Sequence, residues 1–174
     1  MKKILAIICF LSILSLQAQA GLIGDFYNNE RYGCSLSGSG WKGDVAQQKK
    51  LVVFRSDDGI SETGLDVQPL AKYSAQKAID VAKARVEGYD SWMYIGGRQM
   101  EGGELWSANA ADGFLVMYSK NVFSRAGGAI KILVVEKYFV KGGYVYIVSM
   151  ITSSQAWASS KDNLMRVANS LKIS

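Results

Sequence analysis

Residues 129–151 read AIKILVVEKYFVKGGYVYIVSMI, and their pattern decides the architecture. Two runs rich in β-branched and aromatic residues flank Lys141-Gly142-Gly143. The first holds Ile130, Ile132, Leu133, Val134, Val135, Tyr138, Phe139 and Val140, and the second Tyr144, Val145, Tyr146, Ile147, Val148, Met150 and Ile151. A Gly-Gly pair between two such runs is a hairpin signal, because glycine reaches positive φ without a Cβ clash. Neither run alternates cleanly between apolar and polar residues. Strands of that kind meet apolar material on both faces, so these are expected at the centre of a covered sheet. The next segment, Gln155 to Leu171, places Trp157, Leu164, Val167, Ala168 and Leu171 at helical spacing and is the expected cover for one face. Thr152 with Gln155 and Ser159 with Asp162 are two alternative capping boxes, so this helix starts between Gln155 and Ser160.

Upstream, an Ala-, Lys- and Gln-rich segment after Pro69 reads as a helix from Leu70 to Glu87, ended by Gly88. Ala71, Ala75, Ala78, Ile79, Ala82 and Val86 form its packing face, while Lys72, Lys77, Lys83 and Arg85 mostly face elsewhere. Before it come a polar lead-in (Gly21 to Glu30) and a strand from Arg31 to Ser37 with Tyr32, Cys34 and Leu36 on one face. A flexible turn closed by Trp41 follows. Next come a strand from Lys50 to Ser56, a turn at Asp57-Asp58-Gly59 and a returning strand from Thr63 to Gln68. After it, a strand from Ser91 includes Trp92 and Tyr94 and bends or bulges at Gly96-Gly97. A loop is expected at Glu101 to Glu104, a hairpin turn at Asp112-Gly113, a strand at Phe114 to Tyr118 and a polar loop from Ser119 to Gly128. The order of elements is α+β: one antiparallel β-sheet flanked by helices.

The first twenty residues stand apart from this pattern. Lys2 and Lys3 precede an apolar run of thirteen residues, Ile4 to Leu16, and Ala18-Gln19-Ala20 supplies small residues for cleavage before Gly21. This reads as a secretory signal peptide; the run falls short of the ~20 residues a membrane-spanning helix needs. Residues 21–174 are then a single exported domain, periplasmic or secreted, with no transmembrane segment. Its charges are scattered and only mildly basic in balance, which argues against nucleic acid as a partner. One cysteine remains after cleavage, Cys34, so no intrachain disulfide forms. It reads as a buried, inert thiol.

Several of these features together resemble the PsbP-like superfamily, which includes DcrB-like exported bacterial proteins. The resemblance rests on the early strand and Gly-Trp turn (Tyr32 to Trp41), the short hairpin before a long helix, and Trp106…Asp112-Gly113…Tyr118. It rests most on the Tyr144-Val145-Tyr146 hairpin, followed by a helix closing on Ser170-Leu171-Lys172. Related chains often carry a proline shortly before the Trp of that turn, where this one has Gly40 before Trp41. The resemblance implies an α-β-α sandwich and a non-enzymatic accessory or binding role. It carries over no catalytic residues.

The chain contains no histidine. That removes Ser-His-Asp and Cys-His nucleophiles and His-ligated zinc, and one cysteine makes no thiolate zinc site. No cofactor or metal is expected. Paired carboxylates remain open, with Asp57, Asp58, Glu62, Glu101, Glu104 and Asp112 as candidates, although all sit in glycine-bearing turns where acids serve conformation. Asp57-Asp58-Gly59 with Glu62 does not match a calcium loop. Gly96-Gly97-Arg98 and Arg125-Ala126-Gly127-Gly128 put arginine beside flexible backbone, but lack the Lys-Ser/Thr of a phosphate loop. Most aromatics are expected in the core; a set exposed together would mark an interface. Arg98, Trp41, Tyr94, Trp106 and Tyr118 are the candidate binding residues. Three functional readings follow. The first is a monomeric exported protein that binds a protein or envelope component. The second is an exported immunity or inhibitor protein. The third is a carboxylate-dependent hydrolase.

Overall fold

The Gly-Gly hairpin forms and sits in the middle of the larger of two sheets. The structure is a computed structural model, and it describes residues 20–45, 50–88, 93–123 and 128–174. The expected signal peptide (save Ala20), Tyr89, Trp92 and Arg125 lie outside the described residues. Gly142 and Gly143 have φ of 58° and 79°, and Lys141 pairs with Tyr144 across them. Positive φ at both central residues is the turn whose twist matches that of antiparallel strands.

The strands are β1 (Ala20–Ile23), β2 (Phe26–Asn29), β3 (Cys34–Ser37), β4 (Lys42–Val45), β5 (Val52–Arg55), β6 (Glu62–Pro69), β7 (Met93–Gln99), β8 (Asp112–Phe123), β9 (Ala129–Lys141), β10 (Tyr144–Ser153) and β11 (Lys172–Ile173). The helices are α1 (Ala78–Glu87), α2 (Gly102–Ala108) and α3 (Trp157–Asn169). Strand order in the large sheet is β4-β5-β6-β10-β9-β8-β7, and in the small sheet β1-β2-β3-β11. Every described pairing is antiparallel. The two hairpin strands are central, as expected, and both their faces are covered.

One face carries Val135, Phe139, Tyr146, Val148 and Met150 into the main core, beneath α3, α2 and the small sheet. Leu164, Val167 and Ala168 of α3 and the following Leu171 are buried there, with Trp157 partly buried beside them. Full burial of a leucine contributes about 1.5–3 kcal/mol before entropy is subtracted. Neither expected capping box forms. Ser153 Oγ accepts the Ala156 N–H at 3.1 Å instead, and Thr152 shares a buried hydrogen bond of 2.8 Å with Ser61. Tyr32 stacks edge-on against Tyr144, with ring centroids 5.4 Å apart, and its carbonyl accepts the Tyr146 hydroxyl at 2.7 Å. The tyrosines of the hairpin thus tie the small sheet to the large one.

The other face carries Val116, Tyr118, Val134, Tyr138, Val145 and Ile147, and α1 lies across it. The expected helix from Leu70 is shorter than the sequence pattern suggested. Leu70–Tyr73 is a single 3-10 turn ended by Ser74 at φ 48°, and α-helix starts only at Ala78. Its start is fixed from a distance: Asp112, thirty-four residues on, accepts the Ala78 N–H at 2.6 Å. Ala78, Val81 and Ala82 are buried. Arg85, expected to face away, points to the sheet, because a buried carboxylate waits there. It donates to Glu136 at 3.3 Å and to the Tyr138 hydroxyl at 3.2 Å, and Tyr138 and Ser149 also donate to Glu136. On the same face Asp66 accepts from Gln68, whose carbonyl takes Lys72 at 2.7 Å and Tyr73 at 2.6 Å.

Four other segments differ from the sequence reading. Gly21 to Glu30 is not a lead-in: it forms most of the β1–β2 hairpin, with Tyr27 and Asn29 buried and hydrogen-bonded to each other. The first expected strand is split, into a 3-10 turn at Glu30–Tyr32 and β3. Glu101 to Glu104 is not a loop but opens α2, where Glu104 reaches back to accept the Glu101 N–H at 3.1 Å and offsets the two glycines between them. Asp112-Gly113 is not a turn but the start of β8, which runs on to Phe123 through the expected loop because β9 pairs with it throughout. The turn at Gly59 (φ 68°) and buried Cys34 are as read, and burial pushes that thiol up to about 11. Among the described residues, no helix is long and apolar enough to cross a membrane.

Two outcomes follow. Asp112→Ala removes the cap of α1 and is expected to cost about 1 kcal/mol in equilibrium urea unfolding, with Asp112→Asn retaining most of it. Burial raises the Asp66 carboxyl above its ordinary 3.8, the largest influence on it. The native state therefore holds that proton more tightly than the unfolded chain, and the ionised group costs stability at neutral pH. That cost vanishes as pH falls through the folded pKa. Asp66→Asn is expected to need more urea to unfold than the parent at pH 7, with the gap closing toward about pH 4; a gap that widens in acid contradicts this.

Candidate functional site

The far edge of the large sheet is where the surface departs most from ordinary solvated structure. β7 is the terminal strand, and six of its seven residues are exposed. Met93, Tyr94 and Ile95 are 59%, 59% and 50% exposed, three large apolar side chains in succession. The pairing with β8 slips between Tyr94 and Gly96, so Ile95 is bulged, beside the Gly-Gly pair where a bend or bulge was expected. Beyond the bulge, Gly97 leaves room for its neighbours: a Cβ there would lie 2.9 Å from both the Phe114 ring and the Tyr94 hydroxyl, and both would have to shift. Its absence lets the Tyr94 side chain lie along the strand over Phe114.

Tyr94 also lines a groove of about 240 Å³ between β7, β8 and α1. Ala82, Val86, Phe114 and Val116 form the rest of its apolar lining, with the exposed Lys83 and Glu87 beside them. Tyr118 is the cross-strand partner of Tyr94 but is buried, at 3% exposure, in the core beneath α1.

Arg98 projects to the opposite face of the sheet from Tyr94 and Tyr118, being paired with Leu115. Its guanidinium grips Glu104 with two hydrogen bonds of 2.7 and 2.8 Å. That contact holds the Glu104 carboxyl at about 2, well below the usual carboxylate range. The open hollow beside Arg98, about 480 Å³, is lined by Arg98, Glu101, Gly103 and Glu104, with no aromatic residue. Trp106 stands 84% exposed on α2. Trp41 lies partly buried against the main core just before β4, the opposite edge of the sheet. Six strand spacings of about 4.8 Å separate those edges. The five candidate residues therefore do not form one pocket. Tyr94 and Tyr118 share a face, Arg98 lies on the other, and Trp41 is remote.

Of the candidate acids only Glu101 and Glu104 share a hollow; the others are dispersed, and most are occupied. Asp58 accepts from Ser56 and from the Ile60 N–H within its turn. Glu62 lies 2.9 Å from Lys50 and 3.4 Å from Arg55. Asp112 holds Ala78 with one oxygen and Gln99 with the other, at 2.6 Å each. Sequence reasoning passed over the two buried acids, Asp66 and Glu136. Their signal was an acid at the centre of an apolar strand, Leu65-Asp66-Val67 and Val135-Glu136, where no turn explains it. Lys137, buried on the opposite face, donates to Asn169 at 2.6 Å, and burial lowers its pKa. Among the described residues, no group of three or more acids and cysteines is arranged to hold a metal ion.

No family model matches the chain, and no curated protein matches it in sequence. Solved structures do. Cyanobacterial PsbP (CyanoP) from Synechocystis sp. PCC 6803 superposes with a TM-score of 0.58 at 15% identity, over 92% of this chain and 99% of that one. A protein from Bacteroides thetaiotaomicron gives 0.50 at 10% identity, over 88% of this chain and 49% of that one. The Ran-binding protein Mog1p of Saccharomyces cerevisiae is looser, at 0.48 and 9% identity, over 90% and 96%. At these identities the likeness speaks to architecture, and it agrees with the resemblance seen in the sequence: the chain has the PsbP-like α+β fold.

Proposed function

We propose that the mature chain is a non-enzymatic, exported binding protein of the bacterial cell envelope that recognises a protein or envelope component through its exposed surface. The observation that carries this reading is Met93-Tyr94-Ile95, three large apolar side chains exposed on a terminal strand beside an apolar groove. Exposed apolar clusters of this kind mark interaction sites. The carboxylate-hydrolase reading needs two acids converging on a shared cleft. Here the one shared hollow holds Glu101 and Glu104, and Arg98 grips Glu104 there with two hydrogen bonds; Asp112 is engaged by Ala78 and Gln99, and Glu62 by Lys50 and Arg55. Arg98 and Trp106 remain candidate contact residues at the margins of the surface. The basic-apolar start of the sequence supports export.

The test uses the full chain in its host. A photo-reactive residue is placed singly at Tyr94, at Trp106 and at Phe123, the 82% exposed last residue of β8, and adducts are resolved after irradiation of intact cells. A discrete adduct with a protein or envelope component at one or more positions is expected, together with a processed form in the periplasm or medium. Absence of adducts at all three positions overturns the binding reading, and an unprocessed cytoplasmic product overturns the export half.

A further inference from the structure

We infer that β7 is a docking edge for an extended peptide segment of a partner protein, which adds as an eighth strand and seats one large apolar side chain in the groove beside Tyr94. This rests on the reading that the protein works by binding.

The two edges of the large sheet are built differently. At β4, only four residues long, Lys42 and Asp44 put charge on the edge, and Asp44 lies 3.7 Å from Arg55. The β1 hairpin also closes on it: a Cβ on Gly43 would sit 2.8 Å from Leu22, so the glycine exists to admit that neighbour. β7 lacks both of these, and its one guard is the bulge at Ile95. Among the described residues nothing pairs with its outer side. It holds no lysine or proline, the usual guards of a strand edge, and its single charge, Arg98, is clamped by Glu104. Its outer row of main-chain N–H and C=O groups matches one kind of partner, another extended backbone.

The groove adds a second, independent feature. Side chains of an added strand alternate between faces, and those on the Tyr94 side project over the space between Tyr94 and α1. At about 240 Å³, lined by Ala82, Val86, Phe114 and Val116, that space suits an apolar side chain. Lys83 and Glu87 beside it offer one charge of each sign, so the apolar side chain rather than net charge sets the choice of peptide.

The bulge decides between a peptide and a second copy of this chain. Two β7 strands related by a twofold axis would oppose their middles, where Ile95 is displaced. Bulges twist an edge away from long, flat self-pairing. A flexible peptide follows such an edge; a rigid second sheet does not.

The probe is a displayed library of short linear peptides panned against the mature chain, with enriched sequences then synthesised. Expected are peptides with apolar residues at alternate positions, whose binding slows amide exchange across residues 93–99. Ile95→Lys and Tyr94→Ala each weaken binding by roughly ten-fold or more, as loss of an anchor does, while Ile60→Ala, at an exposed turn that takes no part in the surface, leaves it unchanged. Circular dichroism of both variants confirms that they are folded; Ile95 and Tyr94 are exposed enough to be replaced. Protection that maps to α2 or to the Phe123–Ile130 end, or no enrichment over panning against Ile95→Lys, overturns the inference. A concentration-dependent dimer in sedimentation, abolished by Ile95→Lys, overturns it in favour of a second copy. Adducts in cells at position 106 or 123 but not 94 would sink this inference while leaving the binding function standing.

Discussion

The two-residue turn at Gly142-Gly143 is the constraint on which the other elements depend. Only residues free of a Cβ hold two successive left-handed conformations cheaply, and this pair sets the register of β9 against β10 over ten residue pairs. Register fixes which side chains share a face, since a slip of one residue exchanges the faces wholesale. Tyr146, Val148 and Met150 therefore meet α3, and Val145 and Ile147 meet α1. β6 and β8 then add to the outer sides of this ribbon, and every further strand of the large sheet takes its position from them.

The two covered faces obey different chemistry. Beneath α3 the core is mostly apolar, and packing orients the helix together with the hydrogen bond from Lys137 to Asn169. Beneath α1 the sheet presents Glu136, Asp66 and Gln68 among its apolar residues. A buried ion pair is a poor source of stability, yet losing one partner strands a charge out of water. Arg85 and Glu136 thus act on where α1 lies, together with Asp112 at its first turn. Exact placement matters here because the helix forms one wall of the groove that reaches the β7 edge.

What the sequence revealed and concealed follows from the range of the interactions involved. The hairpin, the α3 face and the Gly59 turn rest on residues close in sequence, and all were legible. The true start of α1 was not, because the carboxylate that fixes it comes from Asp112 on another strand. Arg85 reads as a solvent-facing residue by periodicity alone, and only the strand register brings Glu136 beneath it. α2 was hidden by Gly102 and Gly103, whose poor helix propensity is offset by Glu104 turning back on Glu101. The small sheet escaped because its strands are two to four residues long and β11 pairs with a strand more than a hundred residues earlier. Of the surface candidates, Tyr94 and Trp106 are exposed as an interface requires, whereas Tyr118 was indistinguishable by sequence from a surface tyrosine.

Cys34 lies in β3, paired with Ile173 near the chain's end and closed off within the main core. Its thiol is held almost wholly protonated at neutral pH, so it offers no nucleophile to an oxidant. Strands β2 and β11 flank it on either side, so a reagent reaches the sulfur only when the small sheet opens. The reactivity of that sulfur is then a gauge of local opening in the small sheet rather than of the thiol's own chemistry.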